Sequence, residues 1–141
     1  MSLLHASLVA SGKIGILIRG PSGSGKSQLC LQLIDEETKL VADDQVNLRI
    51  DNAMLLGSAP AALAGKLEIR GLGIVECAFV PEVEVKLVVD LQPFENITRM
   101  PESDELSVEL LGLRVCRFSL DPQSPAAVNK VQAALAFFQL R

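Results

Sequence analysis

The chain has 141 residues, of which 49% are hydrophobic and 21% charged, a balance typical of a globular domain with its own core. Its formal net charge is −4 and it contains no Trp or Tyr, which argues against a nucleic-acid partner. No stretch offers the roughly 18 apolar residues that a membrane span needs. Since His5, Lys13 and Arg19 interrupt any signal-peptide pattern, we expect a cytoplasmic protein without a membrane partner.

The three cysteines, Cys30, Cys77 and Cys116, are far apart and odd in number. They lack metal-ligand spacing, and each has apolar neighbours. We therefore expect buried free thiols in a reducing compartment.

The first third of the chain predicts two strands, a loop and a helix. Residues 2–10 are predicted to form one strand carrying His5, and residues 11–13 a turn. Residues 14–19 are apolar and β-branched, which indicates a buried strand. Leucines at helical spacing then predict a helix that ends near residues 35–37.

Most of the remaining chain predicts strands. We expect them at 39–44, 46–50, 53–57, 67–70 and 84–91, with a short helix at 60–64. Residues 92–104 are a polar connection, and residues 105–111 and 113–120 predict a hairpin around Gly112.

The chain ends in a predicted amphipathic helix with Ser124 as N-cap and Pro125 at its first position. The βαβ alternation of a doubly wound fold occurs once and then stops. The fold prediction is therefore a strand-rich α/β protein with mixed sheets, and residues 1–141 form a single domain.

One segment fits the Walker A pattern, a glycine, four residues and Gly-Lys-Ser, and it lies between a strand and a helix as that motif requires. It reads Gly20-Pro21-Ser22-Gly23-Ser24-Gly25-Lys26-Ser27. Its glycines permit backbone angles that turn successive N–H groups toward phosphate oxygens. Lys26 would reach the β- and γ-phosphates of ATP, and Ser27 would ligate Mg²⁺. The alternative is a glycine-rich turn that binds nothing.

Asp43 and Asp44 end the first strand predicted after this helix. Carboxylates there hold magnesium or accept a proton from a hydroxyl nucleophile. The alternative is a solvated Asp-Asp turn.

Other polar residues support either a functional or a structural interpretation. His5, the only histidine, either orients one of these carboxylates or is structural. Glu68 and Arg70 share one strand face, where they form either a metal and phosphate site or a surface ion pair. Arg99 lies in the polar connection, from which it could swing to a transferring phosphoryl group.

Three sequence features together resemble the catalytic domain of the HPr kinase/phosphorylase family. His5 precedes Gly20 by fifteen residues, and Val41-Ala42-Asp43-Asp44 matches the family's strand end. Residues 67–74, Leu-Glu-Ile-Arg-Gly-Leu-Gly-Ile, match its most specific signature without change. The similarity runs from His5 to about Phe137, and it identifies a short form that lacks the family's N-terminal domain.

The resemblance implies a P-loop fold similar to phosphoenolpyruvate carboxykinase. It also implies transfer of the γ-phosphoryl group of ATP, with Mg²⁺, to a serine of HPr or an HPr-like phosphocarrier. Family members also run the reverse phosphorolysis and regulate carbon metabolism through the phosphotransferase system. The family forms hexamers, which makes a homo-oligomer an expectation.

Residue roles carry over by position. Lys26 contacts the phosphates together with the loop of residues 20–27, and Arg70 is assigned to the same nucleotide site. The resemblance implies that Ser27 and Glu68 hold the metal. It also implies that the Asp43–Asp44 pair supplies a general base, with Asp44 the preferred candidate, and that His5 supports this base. Arg99 corresponds to the family's catalytic arginine.

Parts of the family pattern are missing. The phenylalanine-glycine-rich stretch after residue 74 is absent, and residues 122–127 replace the family's Pro-x-x-Gly-Arg-Asn segment, which is tied to dephosphorylation. Kinase activity is therefore a firmer expectation than the reverse phosphorolysis. A nucleotide-sensing module that binds ATP and a partner without phosphoryl transfer is the alternative, and a small-metabolite kinase is a third.

Overall fold

The structure is a computed structural model that describes residues 2–140. Its strands and helices are β1 (Ser2–Leu4), β2 (Ala6–Ser11), β3 (Ile14–Arg19), α1 (Lys26–Leu33), β4 (Thr38–Ala42), β5 (Val46–Asp51), β6 (Met54–Ser58), β7 (Lys66–Ile69), β8 (Gly73–Glu76), β9 (Val83–Leu91), β10 (Ser107–Leu110), β11 (Leu113–Leu120) and α2 (Ala127–Phe137). Short 3₁₀ turns cover Ala61–Leu63, Phe94–Asn96 and Ser103–Leu106. The strand-rich, mixed α/β prediction is confirmed. Neither α-helix in these residues combines the length and the apolar character that crossing a bilayer requires.

Nine strands form one mixed sheet in the order β1-β5-β6-β9-β3-β2-β4, with β11 and then β10 added beside β9. Strand β9 is parallel to both β3 and β11, whereas β6 pairs with its first two residues in the antiparallel sense. Strands β7 and β8 form a separate antiparallel hairpin. Since β9 contacts three other strands, the sheet is built around it.

The sheet buries apolar side chains on both faces because alternate residues of a strand point in opposite directions. Ile16 and Ile18 of β3 belong to one core cluster, and Leu17 belongs to the other. Helices α1 and α2 cover the first face and contribute Leu29, Leu33, Val131 and Leu135. On the second face, Leu17 belongs to a cluster with Val46 and Leu48 of β5 and Leu55 of β6, which are strands of the same sheet. This two-sided burial explains why β3 reads as a continuous apolar run.

The prediction of one strand at residues 2–10 is wrong. The chain breaks at His5, because β1 pairs with β5 whereas β2 pairs with β3 and β4. His5 therefore lies between β1 and β2, where the chain changes its pairing strand, and its side chain is half exposed.

Two helix ends also differ from the prediction. Helix α1 stops at Leu33 because Ile34 is extended and the Asp35 carboxylate accepts hydrogen bonds from the backbone of Glu37 and Thr38. Helix α2 begins at Ala127 with Ala126 at the N-cap, so Ser124 is not the cap. The Ser124 hydroxyl instead accepts a hydrogen bond from the Ala126 N–H at 3.2 Å in a turn that precedes the helix.

All three cysteines are free, as expected, although only Cys30 is fully buried. The predicted hairpin around Gly112 is confirmed as β10 and β11, with Leu111 and Gly112 both at positive φ. The paired positive angles are those of a tight turn between antiparallel strands.

A part-buried ion cluster joins the three parallel strands where they approach the glycine-rich loop. Arg19 donates two hydrogen bonds to the Asp90 carboxylate at 2.7 and 2.9 Å, and Arg117 donates a third. Burial raises the pKa of Asp90, but the hydrogen bonds and charges of the two arginines outweigh it, so the pKa lies below its usual value. Because Arg19 immediately precedes Gly20, the cluster fixes the point where the loop begins.

Replacement of Asp90 tests this cluster. A carboxyl group whose pKa is lowered by folding stabilises the fold above its ordinary pKa of 3.8, and this contribution is lost as the pH falls through the lowered value. We expect Asp90→Asn to lower the free energy of unfolding by about 2 kcal/mol at pH 7, because it leaves two arginines without a counter-charge. Urea unfolding should show that the difference from the wild type shrinks below pH 3.8. The control is Asp104→Asn at an exposed site, and an equal effect of both substitutions would contradict the assignment.

Candidate active site

The loop from Gly20 to Gly25 connects β3 to α1 in a conformation that depends on glycine. Gly23 and Gly25 have φ of 80° and 104°, in the left-handed region that side chains disfavour. A Cβ on Gly20 would lie 2.4 Å from the Ser24 hydroxyl oxygen, which is buried beneath it without a hydrogen-bond partner among the described residues. The loop is closed further by the Ser24 N–H, which donates to the Pro21 carbonyl at 3.0 Å.

Lys26, the first residue of α1, folds back over this loop. Its side chain is buried, and its ammonium group donates to the carbonyl oxygens of Gly20 at 2.8 Å and Pro21 at 3.1 Å. Both acceptors are neutral, and no carboxylate of residues 2–140 pairs with the ammonium group, so a phosphate oxygen would be a stronger acceptor.

The Asp43 carboxylate joins three separate segments of the chain. Its Oδ1 accepts hydrogen bonds from Ser27 of α1 at 2.7 Å and from Ser7 of β2 at 3.0 Å. Its Oδ2 accepts one from the backbone N–H of Glu68 in β7 at 3.1 Å. A buried carboxylate needs such partners to offset its lost hydration. Asp43 therefore fixes the positions of α1, β2 and β7 relative to one another.

Asp44 is adjacent in sequence but differs in environment. Its side chain is 56% exposed, and its backbone has φ of 69°, which turns it away from the direction of β4. The Ser7 hydroxyl accepts the Asp44 backbone N–H at 3.1 Å, which holds this uncommon conformation. The carboxylate that faces the cavity is thus Asp44, not Asp43.

His5 links Asp44 to the glycine-rich loop. Its Nε2 lies 3.2 Å from Asp44 Oδ1 and 3.3 Å from the Ser22 hydroxyl oxygen. One imidazole nitrogen thus contacts both the exposed carboxylate and the tip of the loop.

These groups surround an open cavity of 660 Å³, within the roughly 300–1,000 Å³ of ligand sites. The residues singled out from the sequence that line it are Ser22, Gly23, Gly25, Lys26, Ser27, Asp44, Glu68 and Arg70. Glu68 and Arg70 form no ion pair with each other, so the surface ion-pair interpretation is wrong. Both side chains are free to meet a ligand.

Arg99 is not brought to this cavity. It is exposed in the connection between β9 and β10, and it does not line the cavity.

Sequence reasoning missed several residues of the site. Ser7 is fully buried, and its hydroxyl donates to the Asp43 carboxylate and accepts from the Asp44 backbone N–H. The sequence feature that could have indicated it is a hydroxyl between apolar residues of β2, two residues after His5. Gln28 lines the cavity from α1 and Gln123 from the turn before α2, and no sequence motif predicts either residue.

Cys30 has no place in the chemistry of the site. It is buried behind Asp43, and burial followed by the charge of that carboxylate raises the pKa of the Cys30 thiol far above its usual value. A thiol held in its protonated form is not a nucleophile. The reactive groups available at the cavity are therefore hydroxyls, carboxylates, the imidazole and the two cations Lys26 and Arg70.

Comparison with known proteins places this geometry in a family. Residues 1–131 match the family model described as the HPr Serine kinase C-terminal domain. An HPr kinase/phosphorylase from Clostridium tetani is 49% identical over 129 residues, covering 83% of this chain and 41% of that protein. One from Geobacillus thermodenitrificans is 36% identical over 147 residues, covering 95% of this chain and 47% of that protein. The chain thus spans less than half the length of these curated relatives.

A solved structure shares the fold along almost the whole chain. The Hpr(Ser) kinase/phosphatase from Coxiella burnetii superposes with a TM-score of 0.84 at 28% sequence identity, over 99% of this chain and 92% of that one. The strand-rich architecture of this chain thus occurs in that protein as well. The chain belongs to the HPr serine kinase C-terminal domain family.

Proposed function

We propose that the chain is an ATP- and Mg²⁺-dependent protein-serine kinase and that residues 1–141 form one catalytic domain of the phosphoenolpyruvate carboxykinase-like P-loop type. The acceptor is HPr or an HPr-like phosphocarrier, and the reaction regulates carbon metabolism through the phosphotransferase system. The observation that carries the proposal is the convergence of Lys26, Ser27, Asp44 and Glu68 on one cavity. The names of the relatives, HPr kinase/phosphorylase, support the choice of acceptor.

Binding of ATP begins at the glycine-rich loop. The loop's N–H groups and the positive end of α1 attract the phosphates. Lys26 exchanges the carbonyl oxygens of Gly20 and Pro21 for phosphate oxygens, so its charge is used without a large movement of the chain. Arg70 lies across the cavity and adds a second cation for the same phosphates.

The residues around Ser27 fit a magnesium ion. The Ser27 hydroxyl and the Glu68 carboxylate both line the cavity, and Asp43 lies 2.7 Å behind Ser27, so the donors are all oxygen atoms. Within residues 2–140 no cluster of three or more His, Cys, Asp or Glu side chains could hold a metal alone. Magnesium is commonly held by one or two carboxylates together with the substrate phosphates, and Glu68 would supply such a carboxylate. Bound magnesium would neutralise charge that develops on the β- and γ-phosphates.

Asp44 is the proposed general base. The serine hydroxyl of the acceptor attacks the γ-phosphorus, the bond from that phosphorus to the β-phosphate oxygen breaks, and Asp44 takes the hydroxyl proton. His5 orients the carboxylate through its 3.2 Å contact. In the reverse phosphorolysis Asp44 would return the proton while inorganic phosphate takes the phosphoryl group and leaves as pyrophosphate.

Phosphoryl transfer to HPr tests this function. Wild-type protein incubated with γ-labelled ATP, Mg²⁺ and HPr should label a serine of HPr. Lys26→Ala should lower the rate at least about a hundredfold because a cation that stabilises the transferring group is lost. Lys13→Ala, at an exposed turn outside the cavity, is the matched control. ATP binding with no labelled HPr would instead support a nucleotide-sensing module and contradict the kinase.

Arg99 is proposed to act on the transferring phosphoryl group although it lies outside the cavity. The connection between β9 and β10 must bring it there during the reaction. Arg99→Ala should then reduce transfer about a hundredfold and leave the affinity for ATP unchanged, because its contact forms only in the transition state. Arg114→Ala, at an exposed position on β11, is the control. Equal transfer rates for the two variants would rule out this role.

A further inference from the structure

A second cavity of 360 Å³ lies beside the first, between α1 and the turn that leads into α2. Gln28 and Gln32, one helical turn apart on α1, form one side. Pro122, Pro125 and Val128 contribute apolar surface from the other side. Its volume is within the range of small-molecule sites, roughly 300–1,000 Å³.

The two cavities adjoin at the glycine-rich loop. Gln28 and Gln123 line both of them. The Pro122 ring packs directly on Gly25, where an added Cβ would lie 3.1 Å from Pro122 Cγ. A ligand held at Gly25 and Ser27 can therefore extend over the rim formed by Gln28 and Gln123 into the second cavity.

The cavities differ in charge. The first contains the cations Lys26 and Arg70 and the anions Asp44 and Glu68. None of the described residues that line the second cavity is charged. A nucleoside triphosphate is divided in the same way, since its phosphates carry all the charge and its base carries none.

The second cavity also offers the polar groups that a base requires. The carboxamides of Gln28, Gln32 and Gln123 make no hydrogen bond to any residue of the described chain. Each supplies both a donor and an acceptor, which is what the edge of a nucleobase needs, while proline and valine surfaces suit its flat faces.

We propose that this second cavity binds the nucleobase of the substrate nucleoside triphosphate, an inference that rests on the proposed ATP-dependent function. The α-phosphate lies at the start of α1 when the loop binds the phosphates, and the nucleoside is attached to it. Gln28 then lies beside the junction, and Gln32 reaches the base from one turn further along the helix. Residues 122–125 and Ala127 thus form one wall of a nucleotide subsite.

The test compares two ligands that differ only beyond the phosphates. Isothermal titration calorimetry in the presence of Mg²⁺ measures the dissociation constants of ATP and of inorganic tripolyphosphate, for the wild type and for Gln32→Ala. Gln32 is exposed and lines only the second cavity, so the variant should fold normally, which its melting temperature checks. Gln132→Ala on the exposed side of α2 lines neither cavity and is the matched control.

We expect Gln32→Ala to weaken ATP binding about threefold to tenfold, the effect of one lost hydrogen bond, and to leave tripolyphosphate binding unchanged. Gln132→Ala should change neither constant. If both ligands bind and Gln32→Ala leaves the ATP constant at the wild-type value, or weakens both ligands equally, the base subsite is refuted and the phosphate site stands. If the wild type binds neither ligand, the proposed ATP-dependent function fails, and the subsite fails with it.

Discussion

The candidate site depends on the hydrogen bonds of one buried carboxylate. Asp43 accepts from Ser27 at the start of α1, from Ser7 in β2 and from the backbone of Glu68 in β7. These segments are far apart in sequence, and a single carboxylate joins all three. Because a buried carboxylate is costly unless its oxygens are hydrogen-bonded, any displacement of one segment is opposed by the desolvation of Asp43. The glycine-rich loop, the carboxylates and the β7–β8 hairpin are thereby held around one cavity.

The two adjacent aspartates differ in environment and therefore in what their carboxylates can do. Asp43 has its oxygens occupied and is buried, so it positions its neighbours. Asp44 faces the cavity, where its Oδ1 lies 3.2 Å from His5 Nε2 and its side chain is 56% exposed. The left-handed backbone at Asp44 sends the two side chains in different directions, and Ser7 stabilises that turn through the Asp44 N–H. The proposed phosphoryl transfer to a hydroxyl needs a general base that is both accessible and oriented, and the position of Asp44 meets both conditions.

Local sequence signals predicted the parts of the site, whereas long-range packing determined how they meet. The apolar run of β3, the loop glycines and the Asp-Asp strand end are each specified by neighbours in the chain, so the sequence was sufficient for them. The break at His5 was not predictable because it arises from β1 and β2 pairing with different strands. Ser7 was missed because its importance comes from Asp43, 36 residues away. The cap of α2 was misplaced because Ser124 bonds its own turn instead of the helix.

In the proposed mechanism, Asp44 accepts the proton of the acceptor serine while Asp43 holds the segments of the site together. The most direct test is the single-turnover rate of phosphoryl transfer to HPr by Asp44→Asn at saturating ATP and Mg²⁺. Asparagine adopts the left-handed conformation as readily as aspartate and keeps the size of the side chain, so the fold and the affinity for ATP should persist. We expect this mechanism to give a transfer rate lowered at least about a hundredfold, with the ATP dissociation constant unchanged. Transfer by Asp44→Asn at the wild-type rate would contradict it.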